Sequence, residues 1–442
     1  MAGGQRGSGS SGELPRVLWF LARLVGGQYF PYVIAGTMML RVPGFALVSI
    51  GQVLSLLVIP AAMSLLRRRI VLALLALYCA SALTGILLAM WSVRQLGLSI
   101  DLIQAAEVTL WPLSFMVGAV GFSWSMSRVG LRKVLGIFAV VGLLDFAIVV
   151  RIWSEFWKFG VGQFVVLLIL VAMWNVRSRW ISVAMVFPIV YSLATASRSI
   201  ALLIVFALVT SLLIRRWRYV PRTRWRVEVG AVVVVSMGLL LLAPMAAKQG
   251  LFGSAIQLRM QENAAGGQSV IVGARSEWTG VVPLAKSLPL GFGPGIQPST
   301  QQKQLVLERV ATLKEGAPDY FRSNVFGPRV DWHSLVLNSW FHLGLFGLAW
   351  ALLVAIALLI GIASIRRQLS GHACLVFIMG LGLWHLFFSP YLGGVYVLAG
   401  LAAALHVSGT VRGSEHGTCE LPNDSAGSPA DLRTEEEDQG GG

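Results

Sequence analysis

Charge is the scarcest feature of this 442-residue chain: charged residues make up 12% of it, against 56% hydrophobic residues. A soluble protein of this length carries about twice that charged fraction. It could not bury so much apolar surface in one core without dividing into domains. A soluble fold is excluded for most of the chain, and lipid is its natural solvent. Cysteine is scarce too. Cys79 and Cys374 fall inside apolar runs and Cys419 lies in a polar tail, so no spacing suggests a disulfide framework or a zinc site. There is no Walker lysine loop and no GxSxG elbow. The N-terminus, MAGGQRGSGSSGE, has no apolar core followed by a small-residue cleavage point, so it reads as a flexible tail rather than a cleaved signal.

What the chain does have is a succession of apolar runs long enough for a hydrocarbon core of roughly 30 Å. Spans are predicted near residues 24–41, 43–66, 70–93, 103–127, 133–151, 158–175, 180–196, 199–214, 227–246, 335–362, 372–390 and 393–408. The fold class expected is an all-α polytopic membrane protein of about 12 transmembrane helices.

The formal charge of +15 could suggest nucleic acid, but its placement argues against that partner. The arginines form short clusters between apolar runs. Arg67–Arg69, Arg128/Arg132/Lys133, Arg177/Arg179, the run from Arg215 to Arg226 and Arg366/Arg367 all fall on loops of one parity. By the positive-inside rule that side is cytoplasmic, in an inner membrane, with both termini inside. The expected organisation is then a cytoplasmic tail 1–23, helices one to nine over 24–246, an extracytoplasmic loop 247–334, helices ten to twelve over 335–408, and a polar, disordered cytoplasmic tail 409–442.

The long loop carries structure of its own. SEWTGVVPLAKSL (276–288) reads as a short helix with Ser276 as its cap. PLGFGPG (289–295) is a Gly/Pro turn. The stretch 299–316 reads as an amphipathic helix started by Ser299, with Leu305, Val306, Val310 and Leu313 on one face.

Three polar residues stand out, all on the predicted outer side. Arg198 sits in a tight turn, where it is either an arginine snorkelling at a helix end or a bidentate phosphate ligand. The small neighbours Ser197 and Ser199 leave space for a lipid head group. Arg275 is either a surface cation paired with Glu277 or Glu262, or part of an anion cradle at a helix start. For His333, a structural role stands beside a chemical one. Asp331 as the cap of a helix beginning near Trp332 would put His333 in its first turn, where the dipole keeps imidazole neutral and available as a base. Ser334 and Asn338 are candidate supporting residues. No external loop contains DxD or an acid pair, and Asp101 and Glu107 are too far apart to share a helix face closely. The histidines show no ligand spacing, so no metal is expected. Asp145, with Arg151 as a possible partner, is the clearest intramembrane charge.

SRSIALLIVFALV (197–209), ARSEWTGVVPLAKSLPLGFGPG (274–295) and WHSLVLNSWFHLGLFGLAWALL (332–353) together resemble the O-antigen ligase/polymerase superfamily. The resemblance covers residues about 195–350. It implies a GT-C-like fold and metal-independent, cofactor-free transfer of a glycan from a polyprenyl-diphosphate carrier to a glycan or glycolipid acceptor hydroxyl, in contact with membrane lipid. By position it assigns Arg198 and Arg275 to the donor diphosphate and His333 to catalysis. The family often has an acid two residues before the first glycine of GLxG, where this chain has His342. Its ligases, chain polymerases and protein O-glycosyltransferases are not separated by these motifs. A transporter or lipid-glycan flippase is the alternative outside the family, but that reading needs more intramembrane charge or internal repeats than Asp145 supplies.

Overall fold

The computed structural model describes residues 23, 25–42, 45–149, 157–195, 197–216, 249, 257, 276–313, 316–368 and 370–415. The predicted span 227–246, Arg151, Arg275, most of the basic run 215–226 and both tails up to residue 22 and beyond residue 415 lie outside them.

The chain is an α-helical membrane protein. In chain order its first helical elements are α1 (Phe30–Thr37), α2 (Ile50–Val58), α3 (Met63–Leu66), α4 (Arg69–Leu96), α5 (Leu102–Val129) and α6 (Leu131–Val149). They are followed by α7 (Gly162–Ala172), α8 (Ser178–Ala194) and α9 (Arg198–Arg216). The loop contributes α10 (Ser276–Gly280), α11 (Val282–Ser287), α12 (Thr300–Ala311) and α13 (Ala317–Tyr320), and the chain continues through α14 (Leu335–Ser364), α15 (His372–Phe388) and α16 (Gly394–Glu415). Among the described residues, α4, α5, α9 and α14 are long and apolar enough to cross a membrane, and α7, α8, α15 and α16 are shorter apolar helices.

The first two predicted spans differ from expectation. In place of continuous helices over 24–41 and 43–66, α1 leads into a two-stranded antiparallel hairpin, β1 (Arg41–Val42) and β2 (Phe45–Ser49), before α2 begins. Proline and glycine at positions 43 and 44 break helical continuation. Ser49 then restarts the helix with a capping box: its hydroxyl accepts from Gln52 N, and Gln52 Oε1 accepts from Ser49 N. Asp145 of α6 faces Arg41 of β1 electrostatically.

Hydrogen bonds between helix ends orient the bundle. Arg132 Nε donates to Val171 O at 3.0 Å, Arg215 Nη2 to Val176 O at 3.5 Å, and Gly371 N to Trp174 O at 3.2 Å. Arg68 donates to Leu405 O. Among the described residues, Arg68, Arg132 and Arg215 therefore lie toward one end of the bundle. Since α9 ends and α15 begins at this end, the two run antiparallel. Arg198 and Phe388 consequently lie at the opposite end, which also carries the loop.

The described residues form two hydrophobic cores. The larger fills the helix bundle. The smaller belongs to the loop, where Leu284, Phe292, Val306, Val310, Phe321 and Trp332 pack with Phe341 at the start of α14. The predicted loop helix 276–288 is divided in two at Val281, with Pro283 in the first turn of α11. Ser299 caps α12 through a capping box with Gln302, as read from sequence. The buried face is shifted, however: Leu305 is exposed, and Leu307 is buried beside Val306 and Val310.

Candidate functional site

The PLGFGPG turn fastens the loop to the bundle through its backbone. Phe292 N donates to Phe341 O at 2.8 Å, Ser92 Oγ to Phe292 O at 2.7 Å, and Asp101 N to Gly295 O at 2.8 Å. Trp340 Nε1 donates to Pro289 O at 3.0 Å. Gly293 has φ +103, and a Cβ there would come within 2.3 Å of Ala89 N, so only glycine lets the turn lie this close to α4. Gly344 (φ +72) interrupts α14 in the same way and makes room for Leu290 O. A second set of bonds holds the returning strand of the loop. Gln104 Nε2 donates to Val330 O at 3.0 Å, Gln297 Nε2 donates to Gln104 Oε1 at 3.0 Å, and Arg329 pairs with the buried Glu107.

This fastening sets His333 in place. α14 begins at Leu335 with Ser334 as its N-cap, the hydroxyl accepting from Leu337 N at 3.3 Å. His333 is therefore outside the first turn, and Asp331 is not the helix cap. Asp331 Oδ1 instead accepts from His333 N at 2.9 Å and from Asn338 Nδ2 at 2.8 Å. Asn338 Oδ1 accepts from Trp332 N at 2.9 Å. With its backbone gripped on both sides, His333 adopts φ +47, the one positive φ of a non-glycine residue among the described residues. Such strain persists where surrounding structure over-determines it, and it clusters at functional sites.

Two residues not singled out by sequence complete the group. Tyr320, at the end of α13, lies in hydrogen-bond contact with His333 Nδ1. Its hydroxyl donates to Glu277 Oε1 at 2.7 Å, and that oxygen is 3.9 Å from His333 Nδ1. From sequence, Glu277 reads only as a partner for Arg275. Tyr320 is the single tyrosine of the loop 247–334, and that was the one available hint. A π-helical turn at Phe321–Val325 and a β-bridge between Phe326 and Val330 fold the chain back so that Tyr320 meets His333. On the far side, burial and the negative charge of Asp331 push the Tyr391 hydroxyl well above its usual range, so it remains a protonated phenol.

The other expected residues are placed less closely. Arg198 opens α9 at the loop end of the bundle. Trp278 Nε1 of α10 donates to Phe387 O at 3.2 Å, which ties the segment carrying Glu277 to the same end. Ser197 is buried in its turn, its N–H donating to Ser192 O at 2.7 Å, so it shapes the turn rather than offering a surface. Arg275 lies outside the described residues, immediately before α10. His342 is fully buried, with Nε2 3.4 Å from Val330 O, in the loop core rather than at an open face. Beside the turn, an apolar groove of about 480 Å³ opens between α4 and α5, lined by Ile86, Met90, Val93, Thr109 and Pro294 with Arg94 at its edge.

Residues 183–352 match the family model described as O-antigen ligase. Over that stretch the chain is similar to the O-antigen ligase/polymerase superfamily. No curated protein matches the chain. The O-antigen ligase match begins within α8 and ends within α14. It therefore takes in Arg198, Arg275, the glycine turn, Tyr320 and the His333 segment together.

Proposed function

We propose that this chain is an inverting, metal-independent glycosyltransferase. It moves a glycan from a polyprenyl-diphosphate carrier to an acceptor hydroxyl at the outer face of the inner membrane. The observation that carries the reading is His333, held in a strained backbone conformation inside the O-antigen ligase match, with Nδ1 engaged and no hydrogen bond from Nε2 to a described residue. Nε2 takes the acceptor's proton as the oxygen attacks the anomeric carbon. The bond from that carbon to the diphosphate breaks, and its electron pair leaves with the diphosphate. Arg198 and Arg275 bind the departing group and offset its charge. The apolar groove edged by Arg94 suits the donor's polyprenyl chain, and the loop core over the site limits water as a competing acceptor. Ligase and polymerase differ only in the acceptor taken by this machinery.

Product stereochemistry tests the displacement. The anomeric configuration of the new bond, read by NMR, is expected to be inverted relative to the donor. Retention would contradict direct attack. Arg275→Ala and Arg198→Ala should each weaken donor binding and slow transfer together. Unchanged donor affinity in either variant removes that arginine from the role.

A further inference from the structure

Tyr320 has a single hydroxyl proton and lies between two groups able to take it. Glu277 Oε1 receives it at 2.7 Å, and a carboxylate offers only acceptors. The phenolic oxygen is thereby left to accept from His333 Nδ1, with which it is in contact. Nδ1 then carries the ring proton and Nε2 the lone pair. Nε2 makes no hydrogen bond to a described residue, and the His333 side chain keeps 23% of its surface exposed. We infer that Glu277 and Tyr320 are positioning residues that fix His333 in its Nδ1–H tautomer and support the imidazolium formed when Nε2 takes the acceptor's proton. This rests on His333 as the base.

The distances explain why the phenol is interposed. Glu277 Oε1 is 3.9 Å from Nδ1, too far for a direct hydrogen bond but close enough for its charge to favour the imidazolium. Tyr320 converts that proximity into an orienting contact. No proton needs to cross the phenol: the acceptor's O–H bond breaks, the proton stays on Nε2, and the ring's existing Nδ1 proton remains directed at Tyr320. A third group that orients the base and holds its tautomer is a general requirement of such catalysis. Here it comes from α10, the helix that immediately follows Arg275. Its position is secured by the Trp278 bond to Phe387 O, so the segment that carries the proposed diphosphate ligand also carries the support for the base.

Among the described residues, Glu277 from α10 and Tyr320 from α13 face the ring at Nδ1, and Asp331 holds the His333 backbone N–H.

The test uses the full chain in proteoliposomes, measuring transfer rate and donor affinity for Glu277→Gln, Tyr320→Phe, the double variant and His333→Ala. Glu277→Gln should lower the rate by about 10- to 100-fold, a part of the roughly 100- to 10,000-fold that a general base contributes. Tyr320→Phe should lower the rate similarly, and the double variant should fall little further, because the two act as one unit. Donor affinity should hold throughout. Wild-type rates in both single variants, beside an inactive His333→Ala, would overturn the positioning chain and leave the base intact. An active His333→Ala would remove the base, and the chain with it. If the substitutions unfold the loop, ¹⁵N spectra of histidine-labelled wild type decide, with His333 assigned by its loss in His333→Gln. An Nδ1–H ring is expected, and an Nε2–H ring would overturn the inference.

Discussion

Asp331→Ala should slow transfer by loosening His333 while leaving the donor bound. Asp331 Oδ1 accepts two hydrogen bonds, from His333 N at 2.9 Å and Asn338 Nδ2 at 2.8 Å. Bonds to a charged acceptor are worth about 1.5–3 kcal/mol each. A left-handed residue costs roughly 1–2 kcal/mol. Together the two bonds hold φ at +47 with about 1–5 kcal/mol in excess. Without them the segment gains roughly 1–2 kcal/mol by relaxing to ordinary backbone, which depletes the held ring about 5- to 30-fold. The rate of transfer in proteoliposomes should fall by that factor, with donor affinity nearly unchanged. Asp331→Asn keeps an acceptor at Oδ1 and should fall between Ala and wild type. A wild-type rate for Asp331→Ala would show that these two bonds do not hold His333. An Asn variant as slow as Ala would show that the charge matters and the backbone grip does not.

Other consequences are equally direct. Gly293→Ala places a Cβ against the Ala89 backbone at a φ that side chains rarely adopt, so it should detach the loop. Limited proteolysis within 276–334 should accelerate and transfer should be lost; an intact, active loop would show that the turn is not the fastening. Leu307→Glu should disrupt the loop core, whereas Leu305→Glu, on the exposed face of α12, should change stability by no more than about 0.5 kcal/mol. Thermal unfolding of the two variants checks that register, and the reverse ranking would contradict it.

The helices were legible because a chain in lipid must satisfy its backbone within continuous apolar helices. The spans at 70–93, 103–127 and 335–362 appear as α4, α5 and α14, a few residues longer at most ends. The hairpin at 41–49 was not legible from hydropathy, since buried strands and buried helices are alike apolar. Its local signal was Ser49 with Gln52, a capping box that restarts a helix. At the site, ordered motifs pointed to Arg198, Arg275 and His333. Glu277 and Tyr320 escaped because they are 43 residues apart and meet only through the loop core, which leaves no local pattern. The displaced start of α14 escaped for a related reason. Asn338 folds back from the helix to take Trp332 N and Asp331, a competition that spacing does not reveal.

The role of His333 is decided by polyprenyl-diphosphate release in proteoliposomes containing a polyprenyl-diphosphate-linked glycan and an acceptor, with EDTA present, comparing wild type and His333→Ala. Release is expected from the wild type alone, while both proteins bind the donor equally. Wild-type turnover by His333→Ala, or release that stops on chelation, would contradict that expectation.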